Sequence, residues 1–443
     1  MSRKIIAKIT VKGTLNTVTP LSIGGTGVGE HVDIELAADG SGQCYIPGTS
    51  LAGAVRSWCE RHVEIEEFFG NNDNKTGASR IFMYDLPVPS VIKERRHGIS
   101  ISDETGTVFG RDGFFYTRAL LPRGTSIPFG LELDVTDEND GGVLSLILEA
   151  LQAGMIRLGG CKTRGMGKVI LKDADINYYD FVNDSTALDL WLNDEPALIK
   201  TLDGFNKPEL KSQKFFHVKI NWKPEADLMV KSGYDGIETK IMPLISGVDE
   251  GGRKISPVIP GSSLKGIFRS HAGKIINTIS GDKRIIDDMF GNQEKAGRVM
   301  IDDVYCNVNN PVDFEAWIDE EPDALDTFTS ENLHVAIDRF TGGASERALY
   351  NVRPVKKSSA WEPINITLNT FPEISENLLK QELALLKLLV RDFSDGYIYI
   401  GFGSHRGLGK ITNEPEIEYS SNFPSDKELQ ESWNAFMKGD IEA

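Results

Sequence analysis

Two glycine-rich segments carry side chains that could bind phosphate. "GCKTRGMGK" spans residues 160–168, and "GSHRGLGK" spans residues 403–410. Glycine lets a backbone approach a ligand closely, and a guanidinium offers a forked donor that suits phosphate oxygens. A structural turn between a helix and a strand would explain either loop alone about as well. The candidate phosphate ligands of these loops are Lys162, Arg164, Lys168, His405, Arg406 and Lys410.

A second pattern occurs where two helices are predicted to begin. Residues 46–56 read "IPGTSLAGAVR", and residues 259–269 read "IPGSSLKGIFR". The Pro-Gly-Ser/Thr-Ser sequence predicts a tight turn into a helix whose first N–H groups are unpaired, and such a helix start attracts anions. The candidate anion-binding residues are Gly48, Thr49, Ser50 and Arg56 in the first segment, and Gly261, Ser262, Ser263, Lys265 and Arg269 in the second.

These paired patterns belong to an internal repeat. Five stretches recur in the same order, and the offset between matching residues grows from 207 at Val11 and Val218 to 242 at Arg164 and Arg406. A growing offset indicates one duplicated domain with longer loops in its second copy. Each copy carries two candidate phosphate-binding features, a glycine loop and a helix start. This pairing favours a polyanionic ligand that contacts both domains.

Each repeat predicts an α+β fold. Apolar residues alternate at Ile9 and Val11, as in a strand, and a helix, two strands, a second helix and a final strand follow. This order is that of a ferredoxin-like (RRM-like) domain, an antiparallel sheet with helices on one face. The predicted boundaries are a first domain at 1–175, an acidic linker at 176–213, a second domain at 214–413 and an acidic tail at 414–443.

Composition and length fit a soluble protein of two domains. The chain has 443 residues, of which 40% are hydrophobic and 26% charged. No apolar run approaches the ~20 residues of a membrane span, so we expect a cytoplasmic location and no membrane partner. The four cysteines are far apart and form no CxxC pair, which predicts reduced thiols and argues against a zinc knuckle or a disulfide framework.

The net charge of −17 is unevenly distributed. Residues 173–195, 313–331 and 414–443 together carry more negative charge than the whole chain, so the remainder is mildly basic. We expect the three acidic segments to be solvated surfaces, which leaves a body compatible with a nucleic-acid partner.

The helix starts, the segment "AIDRFTGGA" and the glycine loops ending in RGxG together resemble the RAMP superfamily, the backbone subunits of type III CRISPR effector complexes. Both repeats match, and a chain with two such domains most resembles the double backbone subunit of type III-D variant complexes. The resemblance implies three kinds of partner: crRNA, target single-stranded RNA and other subunits of the type III complex.

The resemblance also implies a hairpin-like thumb in each domain, which displaces a nucleotide at regular intervals. Residues 91–122 and 333–357 occupy the thumb positions, and their Arg, Lys, Phe and Tyr side chains suit backbone contact and base stacking. Arg96 and Arg339 are the candidate RNA contacts. A structural hairpin with solvated charges is the alternative.

In RAMP subunits that cut target RNA, an aspartate lies in the loop before the IPG motif, and Asp33 matches it here. The resemblance implies that Asp33 positions or deprotonates a ribose 2′-hydroxyl, aided by a transient Mg²⁺ or Mn²⁺ ion. An acidic surface loop would look similar. In the second repeat the aligned residue is Lys240, which cannot act as a carboxylate, so Asp235 or Glu238 is only a substitute candidate. This domain is expected to bind RNA without cutting it.

Three functions remain open from the sequence. The first is a guide-bound effector subunit with one metal-assisted endoribonuclease site. The second is a non-catalytic scaffold of the same complex. The third is a stand-alone crRNA-processing endonuclease, a class that usually relies on His, Tyr or Lys, and His31 keeps this possibility open. Cleavage that a chelator abolishes would favour the first.

Overall fold

The computed structural model describes residues 4–25, 32–63, 68–70, 77–99, 101, 115–137, 139–197, 204–211, 215–233, 236–279, 282–370, 374–412 and 414–438. The chain divides into two compact units. Unit 1 comprises Met1–Arg95, Thr117–Lys162 and Gly167–Gln213, and unit 2 comprises Arg96–Tyr116, Thr163–Met166 and Lys214–Ala443.

The first repeat contains a four-stranded antiparallel sheet. In chain order its elements are β1 (Ala7–Thr17), β2 (Tyr45–Ile46), α1 (Gly48–His62), β3 (Ile81–Met83), β4 (Leu86–Pro87), β5 (Glu94–Ile99), β6 (Phe115–Leu120), β7 (Ser126–Val135), α2 (Asp140–Gln152), β8 (Val169–Asp180) and α3 (Ala187–Leu192). The sheet order is β3-β7-β1-β8, and β5 pairs separately with β6.

One face of this sheet packs against the two long helices. Ile9 and Val11 lie two residues apart on β1, so they share a face, and both are fully buried. They belong to one core with Val55 of α1 and Ile147 of α2. The alternation that predicted the strand therefore also identifies the face that the helices cover.

The second repeat contains a matching sheet. Its elements are β9 (Phe215–Asn221), β10 (Ile245–Gly247), β11 (Lys254–Ile259), α4 (Gly261–Thr278), α5 (Arg284–Phe290), β12 (Val299–Ile301), β13 (Val304–Tyr305), β14 (Val312–Asp313), α6 (Phe314–Ile318), α7 (Pro322–Phe328), β15 (Asn332–Ile337), β16 (Ala344–Val352), β17 (Ile364–Asn369), α8 (Glu376–Ser394), β18 (Glu416–Tyr419) and α9 (Asp426–Met437). The sheet order is β12-β17-β9-β18.

The two sheets are built in the same way. In each repeat, strand, helix, strand, strand, helix and strand follow in that order, and a separate hairpin is inserted between the second and third sheet strands: β5–β6 in the first repeat and β15–β16 in the second. The predicted domain boundaries stay predictions. Two sheet strands extend past them, since β8 ends at Asp180 and β18 begins at Glu416.

The acidic insertion at 313–331 is not a purely solvated surface, which corrects the expectation from its charge. It forms α6 and α7, and Trp317, Leu325 and Phe328 are buried in a small core with Met242 and Ile255. The acids of both helices, Glu315, Asp323 and Asp326, are exposed, so burial of the three large side chains does not remove these charges from water.

The acidic tail also folds onto its own repeat. Ser425 and Glu428 form a capping box at the start of α9, and Leu429 and Phe436 are buried in the same core as α8.

All four cysteines are free thiols. Burial raises the pKa of Cys59 to about 12. In the described ranges, no helix has the length and apolarity needed to cross a bilayer.

Candidate nucleic-acid interface

The glycine loops owe their glycines to backbone packing. Gly167 and Gly409 both have positive φ, and a Cβ atom at either would lie about 2 Å from a carbonyl oxygen, that of Leu158 or Ile400. Only glycine fits these two equivalent positions. Backbone packing therefore accounts for Gly167 and Gly409, and the charged side chains of the two loops stay the candidate phosphate ligands.

The loop arginines face a tyrosine in the same way in both repeats. Arg164 donates from Nη1 to the hydroxyl of Tyr116 at 3.3 Å, and Arg406 donates from Nη1 to the hydroxyl of Tyr350 at 2.8 Å. Both arginines are exposed. The two tyrosines lie on β6 and β16, so each glycine loop is joined to the inserted hairpin. Sequence reasoning missed these tyrosines, although their matching places in the two hairpins were a usable signal.

The hairpins expose rings and apolar side chains. His97 stacks on Phe115 with ring centroids 5.0 Å apart, and His334 stacks on Tyr350 at 5.3 Å. Phe115 is exposed, as are Leu333, Val335, Ile337, Phe340 and Leu349 on the second hairpin. Exposed flat rings beside cations form the kind of surface on which bases stack.

Arg339 lies at the tip of the second hairpin and is exposed. The carboxylate of Asp338 accepts the N–H groups of Phe340 and Thr341, each at 2.8 Å, and so orders the turn. These backbone hydrogen bonds lower the pKa of Asp338. Arg339 therefore lies beside the fully exposed Phe340 in an ordered turn.

The helix starts differ from the prediction. The N–H of Gly48 donates to Asp85 at 2.7 Å, and the N–H of Gly261 donates to Asp303 at 2.8 Å, so these N–H groups are paired and not open to an anion. The hydroxyl-bearing residues that follow them are accessible: Thr49, Ser50 and Ser262 are exposed and Ser263 is half-buried.

Arg96 is buried, which corrects its prediction as an RNA-binding residue. Its guanidinium forms an ion pair with Asp303 and donates from Nη2 to Ser246 at 3.1 Å. The side chain of Asp303 is completely buried. This burial raises the pKa of Asp303, while Arg96 and the Gly261 N–H oppose that rise. Arg96 is a structural residue in unit 2.

Three further predicted cations are engaged within the protein. Lys265 is buried and donates to the carbonyl of Val299 at 2.7 Å, and burial with the nearby Arg164 and Arg269 lowers its pKa to about 7. Arg269 pairs with Asp287 at 2.9 Å, and Arg56 pairs with Glu60 at 2.8 Å. Sequence showed the charges of these residues but not their partners.

The remaining loop residues lie nearer the surface. Lys162 and Lys168 are half-buried, and burial, followed by the charge of Arg61, lowers the pKa of Lys162. Lys410 pairs with Glu225 at 2.9 Å, which raises the pKa of Lys410. His405 is exposed. At Lys410, an RNA phosphate would compete with a surface ion pair, which is a weak interaction.

Asp33 is exposed and its loop is fixed to β6. One carboxylate oxygen, Oδ2, accepts the N–H of Thr117 at 2.7 Å, and the N–H groups of Asp33 and Ile34 both donate to the Thr117 carbonyl at 3.1 Å. The carboxylate is thus held at the base of the β5–β6 hairpin. Asp235, the candidate of the second repeat, and His31 lie outside the described residues.

In the second repeat, the equivalent loop is attached to its hairpin in the same way as the Asp33 loop, but Lys240 stands at the position of Asp33. Ile34 forms a parallel bridge with Arg118 in the first repeat, and Ile241 forms a parallel bridge with Val352 in the second. Asp33 precedes the first bridge and Lys240 precedes the second, both in the described part of the chain. The alignment of Asp33 with Lys240 is confirmed by this geometry.

Within the described ranges, no group of three or more His, Cys, Asp or Glu side chains could hold an ion. A single exposed carboxylate does fit the way proteins share Mg²⁺ with a bound phosphate, because this ion takes one or two carboxylates and completes its shell with phosphate and water.

Comparison with known proteins agrees with the duplicated architecture. The chain matches the RAMP superfamily over residues 14–170 and again over residues 251–412. These two matches cover well over half of the chain, and the chain belongs to the RAMP superfamily. It is also 27% identical over 171 residues to the CRISPR system Cms endoribonuclease Csm3 of Streptococcus thermophilus, a match that covers 36% of this chain and 69% of that protein.

Proposed function

We propose that this chain is a crRNA-binding subunit of a type III CRISPR effector complex, with one site that cleaves target RNA. The repeated arginine–tyrosine pair at each inserted hairpin carries the proposal, because it joins a phosphate-binding group to a stacking surface in both repeats. Each sheet with its two helices is then a ferredoxin-like RAMP domain, and each inserted hairpin is a thumb. Membership in the RAMP superfamily and similarity to Csm3 support this function.

The described surfaces support RNA binding. Arg164 and Arg406 are exposed and already oriented by tyrosine hydroxyls, so their guanidinium groups lose little freedom when they meet phosphate. The exposed rings of Phe115 and Phe340 extend this surface with groups on which any base can stack, and the half-buried His97 packs beneath Phe115. None of these contacts reads a sequence, which suits a protein whose specificity comes from the guide.

Cleavage is assigned to Asp33. The Thr117 N–H holds Oδ2, so the carboxylate has a fixed orientation, and Oδ1 is left to position or deprotonate a ribose 2′-hydroxyl. The 2′-oxygen attacks the adjacent phosphorus, the bond to the 5′-oxygen of the next nucleotide breaks, and that oxygen takes up a proton. Asp33 together with the RNA phosphate would hold Mg²⁺ or Mn²⁺, which supplies neutralisation of the phosphate charge when bound.

The test is cleavage of a guide-paired target by the reconstituted complex. Asp33→Ala should abolish one cut, with a loss of about a hundredfold or more, while guide and target binding stay near wild type. Asp33→Asn should be nearly as inactive, although it keeps an oxygen for the Thr117 N–H. Glu35→Gln, two residues along the same loop, is the control and should cleave normally.

The outcomes separate the three functions. Unchanged cleavage in Asp33→Ala would refute the assigned site. A wild-type complex that binds guide and target without cutting would make the chain a scaffold. Metal-independent processing of a crRNA repeat by the isolated chain would make it a stand-alone endonuclease.

A further inference from the structure

The two repeats place opposite charges at one equivalent position. Asp33 and Lys240 each precede the residue that bridges to the hairpin strand, and both are exposed. A hydrogen bond attaches each of these residues to its hairpin, but its donor lies on the hairpin in the first repeat and on the loop in the second. In the first repeat the backbone N–H of Thr117 donates to the Asp33 carboxylate, whereas in the second the backbone N–H of Lys240 donates to Oδ1 of Asn351 at 2.8 Å. The hairpin therefore holds Lys240 by its backbone, and its ammonium group takes no part in the anchor.

The acidic insertion holds the same loop through one carboxylate. Oε1 of Glu320 accepts the N–H of Glu238 at 3.0 Å, and Oε2 accepts the N–H and the hydroxyl of Thr239 at 3.1 and 2.9 Å. Thr239 is 2% exposed. Asn351 adds a hydrogen bond from Nδ2 to the Glu238 carbonyl at 3.3 Å. Three successive residues ending at Lys240 are thus fixed before any ligand arrives.

Such fixation matters because ordering a loop on binding is costly. Holding the backbone of a residue in a single conformation costs conformational entropy, and the contacts of Glu320 and Asn351 meet that cost in the free protein. Lys240 therefore presents its charge from a prepared position. An ammonium group is a compact charge with three donors, which suits a phosphate oxygen, and in its charged form it cannot accept a proton.

We propose that Lys240 binds an RNA phosphate at the place where Asp33 acts in the first repeat, and that Glu320 is a positioning residue for Lys240. The inference rests on the proposed function. The second repeat then holds the RNA at this place without cutting it, and the acidic insertion is the part of the fold that makes this holding site rigid.

The first test is the salt dependence of crRNA binding, measured by fluorescence anisotropy on the full chain. Lys240→Ala should weaken binding and reduce the slope of log K against log salt by about 0.7, the value for one phosphate contact with a single strand. Lys427→Ala, which removes an exposed lysine of α9, is the matched control and should leave the slope unchanged. An unchanged slope in Lys240→Ala would overturn the assignment. If wild type itself shows no salt-dependent binding, the proposed function fails instead.

The second test is a double-mutant cycle between Glu320 and Lys240. Glu320→Ala should weaken crRNA binding several-fold when Lys240 is present and should have no further effect in the Lys240→Ala background, because a positioning residue acts through its partner. Glu320→Gln keeps one acceptor oxygen and should recover part of the loss, which also guards against a failure to fold. Additive losses from the two alanine variants would refute the positioning role.

Discussion

The buried ion pair between Arg96 and Asp303 predicts a large stability loss on Arg96→Met. Arg96 is 5% exposed and the side chain of Asp303 is 0% exposed, so removing the guanidinium leaves a buried carboxylate without its counter-ion. Breaking a buried pair in this way typically costs about 3–5 kcal/mol. Asp303 keeps the Gly261 N–H as a donor, which places the expected loss near the lower end, at ~3 kcal/mol.

Calorimetry of the full chain measures this loss. For a unit of this size, each kcal/mol lowers the melting temperature by about 2–4 °C, so Arg96→Met should melt roughly 6–12 °C below wild type at pH 8. The double variant Arg96→Met with Asp303→Asn removes both charges and keeps an acceptor for Gly261. It should recover most of the loss.

The loss should also depend on pH. Burial raises the pKa of Asp303 in the folded protein, and removal of Arg96 raises that pKa further. A raised folded pKa means that the folded state takes up the proton first, so stability returns as pH falls through that value. The difference from wild type should be smaller at pH 5 than at pH 8. A variant that melts within 1–2 °C of wild type at pH 8, or a double variant no better than the single one, would refute the reasoning.

Three further predictions concern the glycine loops, a helix start and a buried lysine. Replacing Arg164 and Arg406 together with Ala should weaken crRNA binding largely independently of sequence and lower the salt slope by about 0.7 per lost phosphate contact, whereas an unchanged slope would make both loops structural turns only. Gly261→Ala should lower the melting temperature of the protein, because the new Cβ would lie 2.1 Å from the carbonyl oxygen of Ile301; a variant as stable as wild type would contradict this geometry. The pKa of Lys265 is lowered from 10.5 to about 7 by burial, so between these values the unfolded chain binds the extra proton and wild-type stability should rise with pH, by at most ~1.4 kcal/mol per pH unit. Lys265→Met should abolish that rise in urea unfolding measured from pH 7.5 to 9.5.

The repeat was predictable because duplication leaves a pattern that needs no knowledge of contacts. Matching residues in the same order indicated two domains with the same order of elements. The alignment of Asp33 with Lys240 agrees with the β-bridges that follow these residues in the structure. Each of these features depends on neighbours in sequence or on comparison of one copy with the other.

Burial of charge could not be predicted in the same way. Arg96 looked like an RNA contact because its partner, Asp303, is 207 residues away in sequence. Lys265 follows a helix start that seemed open, but it turns inward to the Val299 carbonyl. The high charge of the acidic insertion predicted a solvated surface, whereas the burial of Trp317 shows that this segment has a small core. A sequence gives the charge of a side chain, and only the fold gives its partner.

The presence of Asp33 and Lys240 on one polypeptide has a consequence for stoichiometry. When cleaving and holding sites belong to separate subunits, their ratio in a complex depends on expression levels and on competition during assembly. Under the proposed roles, both sites are translated as one polypeptide, so their ratio is fixed at one to one and exchange of subunits cannot alter it. Each copy of the chain in a complex then adds one cleavage site and one site that binds RNA without cleaving it. The number of cuts in a target RNA therefore equals the number of copies of this chain in the complex.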